Sequence, residues 1–201
     1  MKRSLLIFIL ALSFQSLIKA DDIRDFEIEG MSVGDSLLDY FSKNNIEQEL
    51  KSKFSVKYKD NLFAQLGVGQ TEEFPLFKKL DKFDEIGITI VPNDKKYIIH
   101  GLIGDILCHN NINKCISVKN EIIRDLKNAF PDINIDSWER KHPIDKTGKS
   151  LVYGNTLSSD LINFEFTVSI YDMAEDKFND SVQLSFKTKK LKNFLQNEAY
   201  D

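Results

Sequence analysis

Residues 162–171, INFEFTVSIY, alternate apolar and polar side chains along the whole stretch. Because successive side chains of a β-strand point to opposite sides, this pattern predicts a strand with one buried face. The stretch SVQLSF, residues 181–186, repeats the pattern with Val182, Leu184 and Phe186. Strands that bury only one face are typical of antiparallel sheets. The two stretches therefore predict an antiparallel sheet.

The chain before these strands changes to a helical period. Apolar residues recur every three or four positions from 112 to 130, and Pro131 ends the pattern, which predicts a long helix. Further upstream, the apolar runs 86–91 and 97–107 flank the turn-forming residues 92–94. This arrangement predicts a β-hairpin.

Weaker signals complete the prediction of the fold. Ser32, with Asp35 three residues later, predicts the start of a short helix. Thr188 predicts the N-cap of a last helix, and residues 132–150 are polar and predict an irregular segment. Strands on both sides of one long helix predict a single α+β domain over residues 21–201. We expect an antiparallel sheet with helices packed on one face.

The first 20 residues, MKRSLLIFILALSFQSLIKA, have the layout of a secretory signal peptide cleaved after Ala20. Two basic residues precede an apolar core that is too short to span a bilayer of about 20 residues. We therefore expect a periplasmic or secreted protein of 201 − 20 = 181 residues. We expect no transmembrane segment after cleavage.

The net charge argues against nucleic acid as a partner. The whole chain has a charge of −4, and residues 1–20 carry three basic and no acidic residues, so the remainder is at −4 − 3 = −7. Binding to nucleic acid or to anionic lipid needs a basic face that neutralises phosphates. Both partner classes are therefore disfavoured.

Cys108 and Cys115 are the two cysteines of the chain. In an oxidising compartment they would pair as a disulfide around a short loop. Two free thiols, or a metal site that adds His109, are the alternatives. The metal site would need a fourth ligand that the spacing does not supply, so we predict no metal and no cofactor.

The segment RKHPIDKTGKS, residues 140–150, contains Gly148-Lys149-Ser150, the end of a phosphate-binding P-loop. The P-loop glycine expected five residues earlier is replaced by Pro143, which has no N–H to offer a phosphate. Thr147-Gly148 is better explained as a turn before a strand. The chain also lacks the G-x-S-x-G and H-E-x-x-H patterns of hydrolases.

The same segment is the most basic part of an acidic chain and follows the only tryptophan. A cationic loop beside an aromatic side chain suits an anion or a glycan, whereas charge runs are commonly just solvated. The candidate ligand-binding residues are Trp138, Arg140, Lys141, His142, Lys146 and Lys149. A cluster of acidic residues also suggests calcium, but it lacks the EF-hand spacing; it consists of Asp172, Glu175, Asp176 and Asp180.

Five blocks together resemble a set of small exported proteins of streamlined marine bacteria. They are DFEIEGMSVGDSLLDYFS, NNINKC, RKHPIDKTGKS, YDMAED and LKNFLQNEAY. The resemblance implies export and a single domain, and it implies no activity. It also implies that relatives carry cysteine at the positions of Ile170 and Cys115, and an aromatic residue at the position of Cys108. The block GMSVGDSLLDYF also resembles, more weakly, the short helix of outer-membrane assembly lipoproteins.

Two classes of function follow from these observations. The first is a non-enzymatic binding or envelope-accessory module whose partner is a protein or a small anionic ligand, with an exposed sheet face or a groove near residues 138–150. The second is an envelope hydrolase or thiol-dependent enzyme that uses Cys108, Cys115 and His109. The export signal and the one-sided sheet favour the first.

Overall fold

The computed structural model describes residues 26–71, 73–76, 78–159, 163–174 and 179–199. The predicted signal peptide, residue Ile162 of the predicted strand, and Glu175 and Asp176 of the acidic cluster lie outside these residues.

The described residues form strands before and after one long helix, as the sequence predicts. The strands are β1 (Val56–Lys57), β2 (Ala64–Val68), β3 (Glu85–Ile90), β4 (Ile99–Leu107), β5 (Asn134–Lys141), β6 (Leu151–Ser158), β7 (Phe164–Asp172) and β8 (Ser181–Thr188). The helices are α1 (Lys43–Glu49), α2 (Ile112–Ala129) and α3 (Lys189–Asn197), with 3-10 turns at Leu37–Asp39 and Lys59–Asn61. The fold is α+β, as predicted.

All eight strands join one antiparallel sheet in the order β1-β2-β3-β4-β8-β7-β6-β5. The sheet consists of two four-stranded meanders that meet where β4 pairs with β8. Helix α2 connects β4, in the middle of the sheet, with β5 at its edge. The predicted hairpin is confirmed as β3 and β4, and the predicted long helix is confirmed as α2.

The first face of the sheet carries the main hydrophobic core. The rings of Phe166 and Phe186 stack with their centroids 4.7 Å apart, and Phe26 contacts both rings edge-on. Helix α2 covers this face through Cys115, Val118, Ile122 and Leu126, which are buried. Truncating either phenylalanine to alanine would cost about 3–5 kcal/mol, because the ring is lost and a cavity remains.

Helix α3 packs on the second face, which corrects the expectation that the helices share one face. Leu191 of α3 lies over Gly101, where an added Cβ would come within 2.6 Å of its side chain. Lys192 of α3 forms an ion pair with Glu165 of β7. Gly101 and Glu165 alternate with core residues and so point away from α2. On this face Leu191 and Phe194 of α3 pack with Phe63 in a second, smaller apolar cluster.

The segment 132–150, predicted to be irregular, contains the edge strand β5. All residues of β5 except Ile135 and Trp138 are exposed, so no alternation of buried side chains marks this stretch as a strand. The prediction of a helix from Ser32 is also wrong. Gly34 has φ 101°, outside the helical region, and the chain instead forms the 3-10 turn and then α1, which is capped by Ser42.

Cys108 and Cys115 form a disulfide between the end of β4 and the first turn of α2. Their Cα atoms are 5.7 Å apart, a normal separation for such a bond. Both residues are buried in the main core. The bond therefore anchors the start of α2 to the sheet.

Candidate functional site

The second face of the sheet carries small uncharged polar side chains in its centre. Thr167 of β7 pairs with Ser185 of β8, and Ser169 of β7 pairs with Gln183 of β8. These side chains alternate with core residues, so they all point away from α2. We call Thr167, Ser169, Gln183 and Ser185 the polar floor. Hydroxyl and amide groups both donate and accept hydrogen bonds. The floor can therefore bind the hydrogen-bond donors and the acceptors of a polar ligand.

The sheet curls so that the polar floor lies in a groove. Gln65 of β2 and Trp138 of β5 line one cavity of about 310 Å³ together with the four floor residues. Six strand spacings separate β2 from β5, which would be roughly 29 Å in a flat sheet at about 4.8 Å each. Strong coiling of the sheet brings the two edges towards each other. The cavity is therefore concave and is closed at one end by α3, through Leu191 and Leu195.

Trp138 forms one wall of the groove, and a residue of the adjacent strand β6 holds its ring in place. Its indole Nε1 donates a hydrogen bond to the Thr156 hydroxyl at 3.1 Å. Gly154, its cross-strand partner, leaves room for the ring. A Cβ at position 154 would lie 2.5 Å from the Val168 carbonyl oxygen and 3.1 Å from the indole. Only glycine at this position allows β6, β7 and the tryptophan to approach so closely.

Arg140 lies two residues beyond Trp138 on the same side of β5. Its guanidinium is 5.3 Å from the Trp138 ring centroid, within range of a cation–π interaction. Within the described part of the chain, no carboxylate lies close enough to form an ion pair with it. With respect to the described residues, Arg140 therefore presents an unpaired positive charge at the rim of the groove.

A hydrogen-bonded chain of three side chains crosses one end of the floor. The Tyr171 hydroxyl donates to Gln183 Oε1 at 3.2 Å, and Gln183 Nε2 donates to Asp105 Oδ1 at 3.1 Å. Burial, with smaller contributions from the neighbouring carboxylates of Glu85 and Asp84, raises the pKa of Asp105 to about 6, against the opposing hydrogen bond from Gln183. Asp105 can therefore change its charge near neutral pH. The same burial raises the pKa of Tyr171.

A second recess, of about 410 Å³, continues the groove past Tyr171, which lines both. His142 packs against Tyr171 with the ring centroids 5.8 Å apart. Ile144 and Met173 add apolar surface here, and Ile144 is 72% exposed. The groove thus has a polar middle and a more apolar end.

The structure separates the six predicted binding residues. Trp138 and Arg140 line the groove, and His142 lines the second recess. Lys141 points to the opposite face of β5, beside Gly148. The two other lysines, Lys146 and Lys149, are exposed in the loop after β5. The side chains facing the groove thus come from β5 and its end, and not from the most basic part of the segment.

The Gly-Lys-Ser stretch is a turn, as predicted, and its amide groups are already occupied. The Asp145 carboxylate accepts hydrogen bonds from the backbone N–H groups of Thr147, Lys149 and Ser150. The hydrogen bond with Thr147, followed by those with Ser150, holds the pKa of Asp145 well below its usual range. This carboxylate takes the donors that a P-loop would offer to phosphate.

Among the described residues, no helix is long and apolar enough to cross a membrane. They contain no group of three or more histidine, cysteine, aspartate or glutamate side chains arranged to hold a metal ion. Asp180, from the predicted calcium cluster, accepts a hydrogen bond from the backbone N–H of Met173.

Comparison of the chain with protein-family models, curated proteins and solved structures finds no significant match.

Sequence reasoning missed the polar floor, although one signal for it exists. The outward positions of an exposed strand in a chain with 29% charged residues commonly carry lysine or glutamate. Thr167, Ser169, Gln183 and Ser185 are instead neutral, which is typical of a partly enclosed polar surface. No such signal indicates that Tyr58 and Gln65 line the groove, since their position there depends on the curvature of the whole sheet.

Proposed function

We propose that this chain is an exported, non-enzymatic binding module that holds a small anionic ligand in the sheet groove. One observation carries the proposal: a single concave cavity joins Trp138, the polar floor and Tyr58. Ligand sites are typically concave and combine apolar walls with a few well-placed polar groups. Arg140 supplies the positive charge at the rim.

Export to the periplasm or the medium is part of this proposal. It is motivated by the signal-peptide pattern of residues 1–20 and by the resemblance to small exported proteins. The Cys108–Cys115 disulfide supports it indirectly, because such bonds persist in oxidising compartments. An envelope-accessory role would follow from the same location.

The alternative function, a hydrolase or thiol-dependent enzyme, draws no support from the arrangement of its residues. A cysteine nucleophile must be a free thiolate, whereas Cys108 and Cys115 are bonded to each other and buried. Neither cysteine nor His109 lines the groove.

Calorimetric titration tests the proposed function with a panel of small organic anions: hexuronates, hexose phosphates, dicarboxylates and amino acids. We expect at least one compound to bind saturably. Arg140→Gln should weaken its binding about tenfold, the value of one charge-assisted hydrogen bond. Arg124→Gln is the matched control, because Arg124 lies on α2 and is paired with Asp125. Equal weakening by both variants, or no binding by any compound, would contradict the proposal.

A further inference from the structure

The polar floor is neutral, and its groups can each donate and accept hydrogen bonds. Three of its four residues, Thr167, Ser169 and Ser185, carry hydroxyls, and Gln183 carries an amide. A ligand with several hydroxyl groups satisfies such a surface best, since each hydroxyl also both donates and accepts. A lipid chain would leave these groups unpaired, at a cost of about 1–3 kcal/mol for each one that it buries.

The walls of the groove are aromatic. Trp138 stands at one side and Tyr58 at the other, and the Tyr58 hydroxyl donates to Gln65 Oε1 at 3.3 Å. Aromatic side chains with an apolar ring and a polar tip suit a ligand that has both character types. A sugar ring has apolar C–H faces and a polar rim of hydroxyls. The cavity of about 310 Å³ lies at the small end of ligand sites, so it suits one or two rings.

The charges around the groove select one negative group on the ligand. Arg140 has a planar guanidinium that can bind a carboxylate through two parallel hydrogen bonds. Lys187, the other cation that lines the groove, is paired with Glu165 at 3.4 Å. Asp105 lies beside the floor and Glu85 lies beside Asp105. These carboxyl groups would repel a ligand with several negative charges, such as a polyphosphate.

We propose that the ligand of the groove is an acidic saccharide, a sugar ring that carries one carboxylate. In this arrangement Arg140 binds the carboxylate, the polar floor binds the hydroxyls, and Trp138 packs against a C–H face of the ring. The inference rests on the proposed function of the groove and adds the chemical class of the ligand. It involves no covalent step.

The experiment is a set of calorimetric titrations with D-glucuronate, D-galacturonate, glucose, galactose, succinate and inorganic phosphate. We expect a uronate to bind about tenfold more tightly than its neutral sugar, because only the uronate has the carboxylate for Arg140. Arg140→Gln should reduce the uronate to the affinity of that neutral sugar and leave the neutral sugar within about twofold. Thr167→Val should weaken both by similar factors, because it removes a hydroxyl contact that both ligands use.

Three results would overturn the inference. Succinate or phosphate binding as tightly as the uronates would mean a simple anion site, and the proposed binding function would still stand. Equal binding of uronates and neutral sugars, unchanged in Arg140→Gln, would remove the carboxylate from the account. No binding by either uronate would reject a carboxylate-bearing sugar as the ligand, while the hexose phosphates and amino acids of the wider panel decide the binding function separately. Circular dichroism of each variant shows whether it has kept the fold.

Discussion

The indole Nε1 of Trp138 donates a hydrogen bond to the hydroxyl of Thr156, at 3.1 Å, from the adjacent strand. This bond restricts the orientation of the only tryptophan of the chain, whose ring lines the groove. A side chain at Gly154, directly opposite Trp138, would clash with the Val168 carbonyl oxygen at 2.5 Å and would crowd the indole at 3.1 Å. The shape of the groove thus depends on three residues of two neighbouring strands.

Thr156→Val removes the acceptor of that hydrogen bond and keeps the shape of the side chain. We expect the free energy of unfolding to fall by about 1 kcal/mol, because the half-buried indole N–H loses its partner. Tryptophan emission should shift, and ligand affinity should drop, as the ring becomes mobile. Urea denaturation measures the first effect, fluorescence the second and calorimetric titration the third. Ser158→Ala, two residues along the same strand, should change none of these quantities; if it matches Thr156→Val, the bond has no special role.

Asp105 should make stability depend on pH near neutrality. Its folded-state pKa of about 6 lies above the ordinary value of 3.8, so the folded chain holds this proton more tightly than the unfolded chain. The resulting stability is fully present below about pH 4 and is lost as the pH rises through about 6. Asp105→Asn stays neutral, so its melting temperature should fall less between pH 4.5 and 7. Parallel curves for the two proteins would exclude this role of Asp105.

The charge of Asp105 should also affect an anionic ligand. Below about pH 6 the carboxyl is neutral and no longer repels the ligand, so affinity should rise as the pH falls. Asp105→Asn should bind the ligand with little dependence on pH over the same range. Calorimetric titrations at pH 5 and pH 7.5 give the comparison.

His100 should produce the opposite dependence of stability on pH. It is half-buried against the ring of Phe63, and its buried Nδ1 has no hydrogen-bond partner among the described residues. Burial lowers the pKa of His100, with a smaller contribution from Lys190 and an opposing one from Asp94. The folded chain therefore favours neutral histidine, which stabilises it above the ordinary pKa of about 6.5. This stability is lost as the pH falls through the lowered pKa.

Melting temperatures between pH 7.5 and pH 5 test this second dependence. His100→Gln should remove part of the loss on acidification, since the glutamine never becomes charged. His109→Asn is the control, because His109 is exposed and asparagine tolerates its left-handed backbone, at φ 52°. An unchanged acid sensitivity of His100→Gln would mean that other groups titrate instead.

Loss of the disulfide should destabilise the chain without abolishing the sheet. A closed loop of about eight residues contributes about 2.5 kcal/mol in the chain-entropy model. Replacing Cys108 and Cys115 by alanine should reduce the free energy of unfolding by about that amount. A reducing agent should do the same to the wild type and nothing to the variant. A wild type that is insensitive to reduction would show that the bond does not stabilise the protein.

The sequence predicts those elements whose side chains separate cleanly into an apolar and a polar face. The alternation in β7 and β8 and the helical period of α2 each mark one apolar face, so these elements are visible without coordinates. In β7 the polar residues Glu165 and Ser169 of the other face are buried as well, which the alternation does not predict. The edge strand β5 was missed because it has a partner on one side only and is mostly exposed on both faces. Its residues carry no pattern that distinguishes a strand from a loop.

The candidate site was predictable only in part, for a similar reason. Trp138 and Arg140 were found because they are a rare residue and a charge in a basic segment. That they line the same cavity as Tyr58 depends on the coiling of eight strands, which no local pattern encodes. The side of the sheet covered by α3 was also unpredictable, since the amphipathic period of a helix does not name the face that it meets.

Two-dimensional NMR of the ¹⁵N-labelled protein tests the central claim most directly. The chain has one tryptophan, so its indole N–H gives a single signal from the wall of the groove. On titration with D-glucuronate, we predict saturable shifts of this signal and of the backbone amides of Thr167, Ser169, Gln183 and Ser185. Shifts confined to the loop 142–150 or to α2, with the indole signal unmoved, would contradict binding in the groove.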